Sequence, residues 1–358
     1  MTTVTSASAV TLADGIREDL GNIIFNVSPF QTPFTSGIGQ VSATADNHEW
    51  LTDTYAASVG SNGVVEAEAI AAGTSNNTAR VRLGNRIQIA QKVVAVTKKA
   101  EMFDRAGVPG KEMAYQLMKL GKELQMDVER QTLAATLDGT STAGGTFNTQ
   151  NRANRTGRNI KATGTGTTNQ QGISAGLPYF LVANQQFGTT AGGTAGVANN
   201  SNNGDANVLN AGAPALFSEA KLEALFDGVW NNSGDFGNVK LMATASVVGS
   251  IRGIANGMST TVSTDLNGNS TDGGNIINRV AVYVSQFGPV AVVPNKHMPI
   301  NTAYVLDMST WKLATGGGKK IHTTDIATSA SAEKKLLECY YTLEACSEAS
   351  NGSYFGIS

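Results

Sequence analysis

The residues with most chemical potential are scattered, and each grouping falls short of a working site. Gly316-Gly-Gly-Lys-Lys320 has the glycines and lysine of a phosphate-cradling loop. Such a loop needs a further glycine five positions before its last one, and a Ser or Thr after the lysine to reach a metal ion. Leu313 and Lys320 stand at those places, so the segment reads as a turn. Asp265, Asn267 and Asn269 match the first ligand positions of a calcium loop, yet Ser270 replaces its turn glycine and Ile276 its bidentate glutamate. His48, His297 and His322 have no partner at metal-ligand spacing, and neither a nucleophile elbow nor an HExxH helix is expected. Cys339 and Cys346 lack CxxC spacing and read as free thiols. Glu66 and Glu68 fall in a solvated loop, which makes general acid work improbable. No catalytic, cofactor or metal site is therefore expected.

Composition narrows the classes further. A chain of 358 residues suggests two or three lobes at about 100 to 200 residues per domain. Hydrophobic residues make up 41%, and no apolar run reaches the roughly 18 residues of a membrane span, so a soluble protein without membrane contact is expected. Met1 to Ala13 is polar and has neither a basic start nor an apolar stretch, so no secretory signal is expected and folding in a cytoplasm follows. Net charge is −2 with only 15% charged residues, too weak a basic field to hold nucleic acid by counterion release. The 40 glycines, with abundant Thr, Asn, Ala and Ser and only 6% aromatics, predict many turns and long loops that need neighbours. Such a chain suits an assembly better than a compact monomer.

The elements that would carry these residues are read from periodicity. Ala13 to Phe25 spaces Ile16, Leu20, Ile23 and Ile24 as a helix does, and prolines at 29 and 33 then bias Asn26 to Phe34 toward extended backbone. Phe30 and Phe34 on such an arm need a partner surface, which is either a neighbouring molecule or their own body. Asn47 to Tyr55 and Thr78 to Lys98 carry strand patterns, and with the small-residue stretch Ala56 to Asn77 between them they predict a long hairpin. A two-stranded ribbon is marginal alone in water, so this one must lie on something else. Arg80, Arg82 and Arg86 line its polar face, either as a solvated row or as partners for a neighbour's carboxylates.

Lys111 to Leu137 predicts the strongest helix, with Met113, Leu117, Leu120, Leu124 and Val128 on one stripe. At about 1.5 Å per residue it would be roughly 40 Å long. Asp138 to Ser174 and Gln185 to Gly212 read as long Gly/Thr/Asn-rich loops. Helices follow at Phe217 to Trp230, with Ser218 as N-cap, and at Ala245 to Ile254. Strands are predicted at Val239 to Met242, Val280 to Val284, Val290 to Val293 and Ala303 to Leu306, with a final hairpin from Lys335 to Leu343 and Tyr354 to Ile357. The class is α+β.

An arm, a long hairpin, a long helix and an α+β body, in that order, resemble the Hong Kong 97 (HK97)-type fold of tailed-phage major capsid proteins. Ile23-Ile-Phe-Asn-Val-Ser-Pro-Phe-Gln-Thr-Pro-Phe34, His48-Glu-Trp-Leu-Thr-Asp53 and Ala79-Arg-Val-Arg-Leu-Gly-Asn85 are similar to strings in one branch of phage head proteins. So are Glu112-Met-Ala-Tyr-Gln-Leu-Met-Lys-Leu-Gly-Lys-Glu-Leu124, Val282-Tyr-Val-Ser-Gln-Phe-Gly288, Ala303-Tyr-Val-Leu-Asp307 and Tyr341-Thr-Leu-Glu344. The resemblance spans nearly the whole chain and is weakest at 138–215.

The resemblance implies an N-terminal arm at 1–39 and an E-loop hairpin with flanking strands at 40–100. It further implies a spine helix and first peripheral part at 101–174, an axial domain at 175–300, and a second peripheral part with the C-terminus at 301–358. The implied function is that of a structural major capsid protein, not an enzyme, which forms hexamers and pentamers of an icosahedral head around double-stranded DNA without sequence-specific binding. Implied partners are copies of itself, a portal and a scaffold, with a decoration protein as an optional addition. The implied location is the virion capsid, after assembly in the bacterial host cytoplasm.

Trp50 to Arg86 would lie across an adjacent subunit, Phe30 and Phe34 would clasp neighbours, and 220–290 would sit near symmetry axes. The assembly interface would thus draw on Phe30, Pro33, Phe34, Trp50, Arg80, Arg82, Arg86, Leu117, Leu124 and Phe287. Some relatives cross-link subunits through an E-loop lysine, but residues 41–91 contain no lysine, so non-covalent arm and hairpin contacts are expected instead. The alternatives are an encapsulin-like nanocompartment subunit and a phage tail or fibre protein, the latter a poor fit to the long helix.

Overall fold

A computed structural model of the chain describes residues 31–56, 58–60, 63, 66, 78, 80–103, 111–134, 146–149, 160–161, 171–172, 174–181, 184–187, 207–210, 216–233, 236–258, 282–299, 301–318, 320–327 and 331–357. The arm helix expected at Ala13 to Phe25, Phe30, most of the hairpin tip and the calcium-like segment Asp265 to Ile276 lie outside the described residues.

The described chain opens with the short helix α1 (Pro33–Gly37), whose first position suits proline, followed by β1 (Gly39–Ala43). Strands β2 (Asn47–Thr52) and β3 (Val81–Arg86) form a ribbon, and β4 (Gln88–Thr97) follows. Thr97 caps α2 (Lys98–Met102) by accepting from the Ala100 N–H, and the long helix α3 (Glu112–Ala134) comes next. Short pieces follow: β5 (Thr146–Thr149), β6 (Ile160–Lys161), β7 (Gln171–Gly172), α4 (Leu177–Phe180), β8 (Gln185–Phe187) and β9 (Asn207–Asn210). Then come α5 (Glu219–Ser233), β10 (Val239–Ala243), α6 (Ala245–Met258), β11 (Val282–Ser285), β12 (Gly288–Pro294) and β13 (Thr302–Asp307). A 3-10 turn at Met308–Thr310 leads into β14 (Trp311–Gly316), β15 (His322–Ile326), β16 (Ala332–Ala345) and β17 (Gly352–Phe355).

Two sheets build the body. The 14-residue β16 is the axis of the first: one edge pairs antiparallel with β4, and the other with β15 and then β14, to which β1 adds in parallel. Helix α3 lies on β4 and β16, so Leu124 and Val128 share a core with Val94, Val96 and Leu337. Burying each such side chain contributes about 1.5–3 kcal/mol.

The second sheet runs β11-β12-β10-β13-β17-β8. Period-two alternation splits its faces between two cores. Leu241, Ala303, Val305 and Tyr354 join Leu222, Leu225, Phe226 and Val229 of α5 and Val247 and Ile251 of α6. Met242, Tyr304, Leu306 and Phe355 face the other way, into the core that holds Phe34 and Trp311. All six residues of β13 are accordingly buried.

Several expectations are corrected here. The single strand expected at Thr78 to Lys98 breaks at Ile87, whose N–H donates to the Asp46 carbonyl at 3.0 Å. β3 pairs with β2 in the ribbon, whereas β4 turns into the body and pairs with β16. The expected final hairpin does not form either, because β16 belongs to the first sheet and β17 to the second. The boundary expected between 300 and 301 falls inside the second sheet, since β10 pairs with β12 on one side and β13 on the other. Gln185–Phe187, expected in a loop, is the edge strand β8 beside β17. The expected turn at Gly316 is present: Gly317 and Gly318 have φ of 62° and 73°, a left-handed conformation that glycine adopts without strain.

Candidate assembly interface

The β2–β3 ribbon is bonded to the body at its root, and beyond it no described element covers its apolar residues. Register places His48 opposite Asn85 and Trp50 opposite Leu83. Asn85 is fully buried; its Nδ2 donates to the carbonyls of Ala175 at 3.0 Å and Leu343 at 2.8 Å, and its Oδ1 accepts from the Ala175 N–H at 2.9 Å. Trp50 Nε1 donates to the Ala345 carbonyl at 2.8 Å, and its ring lies 6.1 Å from that of Phe180. Each bond adds about 1 kcal/mol net, but leaving a buried amide unpaired costs about 1–3 kcal/mol, so the joint is specific as well as stable.

An ionic cluster completes the root. His48 Nε2 lies 2.8 Å from Glu344 Oε2, while Glu344 Oε1 accepts from Lys312 Nζ at 3.1 Å and Cys346 Sγ at 3.4 Å. Burial alone would raise the Glu344 carboxyl, but hydrogen bonds from His48, Lys312 and Cys346 outweigh it and hold the group below its ordinary 4.5. Lys312 is raised in turn by its hydrogen bond to Glu344. Burial pushes both free thiols up, Cys339 to about 11.

Further out, Arg86 pairs with Asp46, Arg82 with Glu49, and Arg80 with Asp53 at 3.3 Å. All these carboxylates lie on or beside the ribbon itself, so the arginine row is matched within its own chain. Exposed pairs of this kind are worth about 0–1 kcal/mol each. The apolar residues differ: Leu51 and Val59 are two-thirds exposed and Tyr55 is wholly exposed. No described element covers them.

Of the other expected interface residues, Phe34 and Leu124 are buried inside the subunit, while Pro33, Leu117 and Phe287 are half-buried. Phe34 is fully buried, its ring 6.2 Å from Trp311 in an edge-on contact, so it packs on its own body. Pro33 begins α1 just before it. Leu124 is 1% exposed in the core under α3, with Leu117 packed against that core, so Leu124 is no contact residue. The apolar stripe that suggested it is the helix's own buried face. Phe287 stacks on Trp230 of α5 at 5.0 Å.

Sequence reasoning missed the buried polar joints at Asn85, Glu129 and Glu344, because nothing in a single polar letter announces a distant partner. It also passed over Gly172-Ile-Ser-Ala-Gly176, which does have nucleophile-elbow spacing. Ser174 is 2% exposed, and its Oγ is bonded to Thr342 Oγ1 at 3.0 Å and to the Ala175 carbonyl at 3.3 Å, with no histidine among these partners. It is a packing residue beside the hairpin root. Among the described residues no cluster of three or more His, Cys, Asp or Glu could hold a metal ion, and no helix is long and apolar enough to cross a membrane.

The family model of the SU10 major capsid protein matches residues 1–358. The chain belongs to the SU10 major capsid protein family. A major capsid protein of Escherichia phage Phieco32 is 36% identical over 117 residues, which are 33% of this chain and 32% of that relative, so the match spans about a third of its length. The capsid of cyanophage A-1(L) is similar in structure over 98% of this chain and 99% of its own, with a TM-score of 0.57 at 11% identity. The capsid of a native GTA particle matches over 98% and 99% of the two chains, with a TM-score of 0.56 at 12% identity. A Gordonia phage Cozz structure covers 99% of this chain and 96% of its own, with a TM-score of 0.53 at 12% identity. These likenesses show the HK97-type capsid fold. The SU10 capsid family is one of structural shell proteins rather than enzymes, and its place is the virion capsid.

Proposed function

We propose that this SU10-family capsid protein assembles as hexamers and pentamers into an icosahedral shell around double-stranded DNA, held by non-covalent contacts and catalysing nothing. The observation that carries this reading is a ribbon bonded at its root by Asn85, Trp50 and His48 while Leu51, Tyr55 and Val59 stay uncovered. Apolar side chains that no described element covers are stabilised by lying on an adjacent subunit, and each one buried there adds about 1.5–3 kcal/mol. Such contacts are heterologous, so they close only under point-group symmetry. The absence of lysine from 41–91 supports non-covalent closure. A net charge of −2 supports containing DNA over binding it by counterion release. A separate scaffold, a portal and a decoration protein are the further partners, and assembly takes place in the host cytoplasm.

Co-expression with the phage scaffold, viewed by electron microscopy, tests this. Closed shells are expected from the unaltered chain. A Leu51→Ser, Tyr55→Ser, Val59→Ser variant is expected to keep the circular dichroism and thermal midpoint of the free subunit while forming no shells. Closed shells from that variant, or only monomers from the unaltered chain, would sink the proposal.

A further inference from the structure

Glu129 is fully buried near the end of α3, where a carboxylate is costly unless its oxygens are matched by donors. Here they are. Oε1 accepts from the Phe34 N–H at 2.9 Å and from Asn295 Nδ2 at 2.8 Å, and Oε2 accepts from the Thr35 N–H at 2.8 Å. Asn295 is itself held, its N–H donating to the Ala243 carbonyl at 3.0 Å and its Oδ1 accepting from the His297 N–H at 2.9 Å. One carboxylate therefore joins three places: the first turn of α1, the long helix, and the segment leaving β12. Hydrogen bonds to an ionised acceptor are about twice as strong as neutral ones, and two on successive backbone N–H groups fix direction as well as position.

We infer that Glu129 is a positioning residue that fixes the direction of α1 against the long helix and the segment leaving β12, and thereby the regularity of the shell that copies of the subunit build. The second half of this rests on the assembly reading above; the first does not. Packing alone does not account for the arrangement, since Phe34 is already held by Trp311 and a neutral apolar side chain at 129 would fill the same space without desolvating a charge.

The test is Glu129→Gln, which keeps the shape but turns one acceptor into a donor facing donors. Residue-resolved hydrogen exchange on the unassembled full-length subunit is expected to show Phe34 and Thr35 exchanging at least ~10-fold faster, with β16 unchanged. Co-expressed with scaffold, the variant is expected to give incomplete or irregular shells. Leu124→Ala serves as the comparison: it lowers the thermal midpoint by opening a core cavity, yet is expected to leave both amides protected and the shells regular. Unchanged exchange at Phe34 and Thr35 in Glu129→Gln overturns the clamp. Regular shells despite fast exchange, or the same irregular shells from Leu124→Ala, overturn its role in directing assembly. Failure of the unaltered chain to form shells would refute the assembly reading and remove that directing role, while the exchange result on free subunits would still decide the clamp.

Discussion

Glu344 and His297 show how single buried groups set the response to acid. Glu344 is lowered from 4.5 in the folded state, so its contribution is present above that value and is lost as pH falls through the lower folded value. His297 is lowered from 6.5, by burial first and then by Lys296, so the unfolded chain takes up its proton more readily. Its contribution is complete above 6.5 and declines as pH falls toward its depressed folded value. Both act in one direction, and the free subunit is expected to lose thermal stability in two stages on acidification. Melting curves at stepped pH check this: His297→Gln should flatten the stage that begins near 6.5, and Glu344→Gln the stage below 4.5. A midpoint that rises on acidification would contradict both assignments.

At the scale of elements, two helical glycines have opposite expected effects. A Cβ on Gly228 of α5 would lie 2.6 Å from Asn184 Oδ1, and Asn184 is pinned by its bonds to the carbonyls of Ala349 and Asn351. A Cβ on Gly249 of α6 would meet nothing within 4 Å. Alanine is favoured over glycine by about 1 kcal/mol in a helix, whereas overpacking costs about 1–3 kcal/mol. Chemical denaturation should therefore show Gly249→Ala more stable than the unaltered subunit and Gly228→Ala less so.

Helices were legible for a related reason: their periodicity is local, so α3, α5 and α6 lie where spacing places them. Strands were legible one at a time, but their partners were not. Val81 to Thr97 alternates almost without interruption, and only the pairing of β4 with β16, some 240 residues away, reveals that it is two strands. The same blindness joined β16 to β17 as a hairpin, because adjacency in sequence is the default guess for strand pairing.

For the whole molecule, the order of arm, ribbon, long helix and mixed body was enough to suggest the fold. Which apolar residues the subunit keeps for itself was not, because Phe34 and Leu51 are both purely apolar on paper and only tertiary packing buries one and exposes the other. The ribbon gives a prediction at this scale. Glu66 near its tip is exposed, so a glutamate-specific protease is expected to nick the free subunit there before it cuts the sheets. In assembled shells the same site should be protected, as peptide mapping by mass spectrometry would show. Equal cutting in both states would mean that the tip gains no cover from assembly.

The joint at the ribbon's root bears on how such shells diverge. Asn85 and Trp50 grip main-chain oxygens at positions 175, 343 and 345, and every residue type supplies that oxygen. Exchange among apolar residues of fitting size at those three buried positions leaves the oxygens in place, so a lineage can drift in its text and still inherit the same pivot.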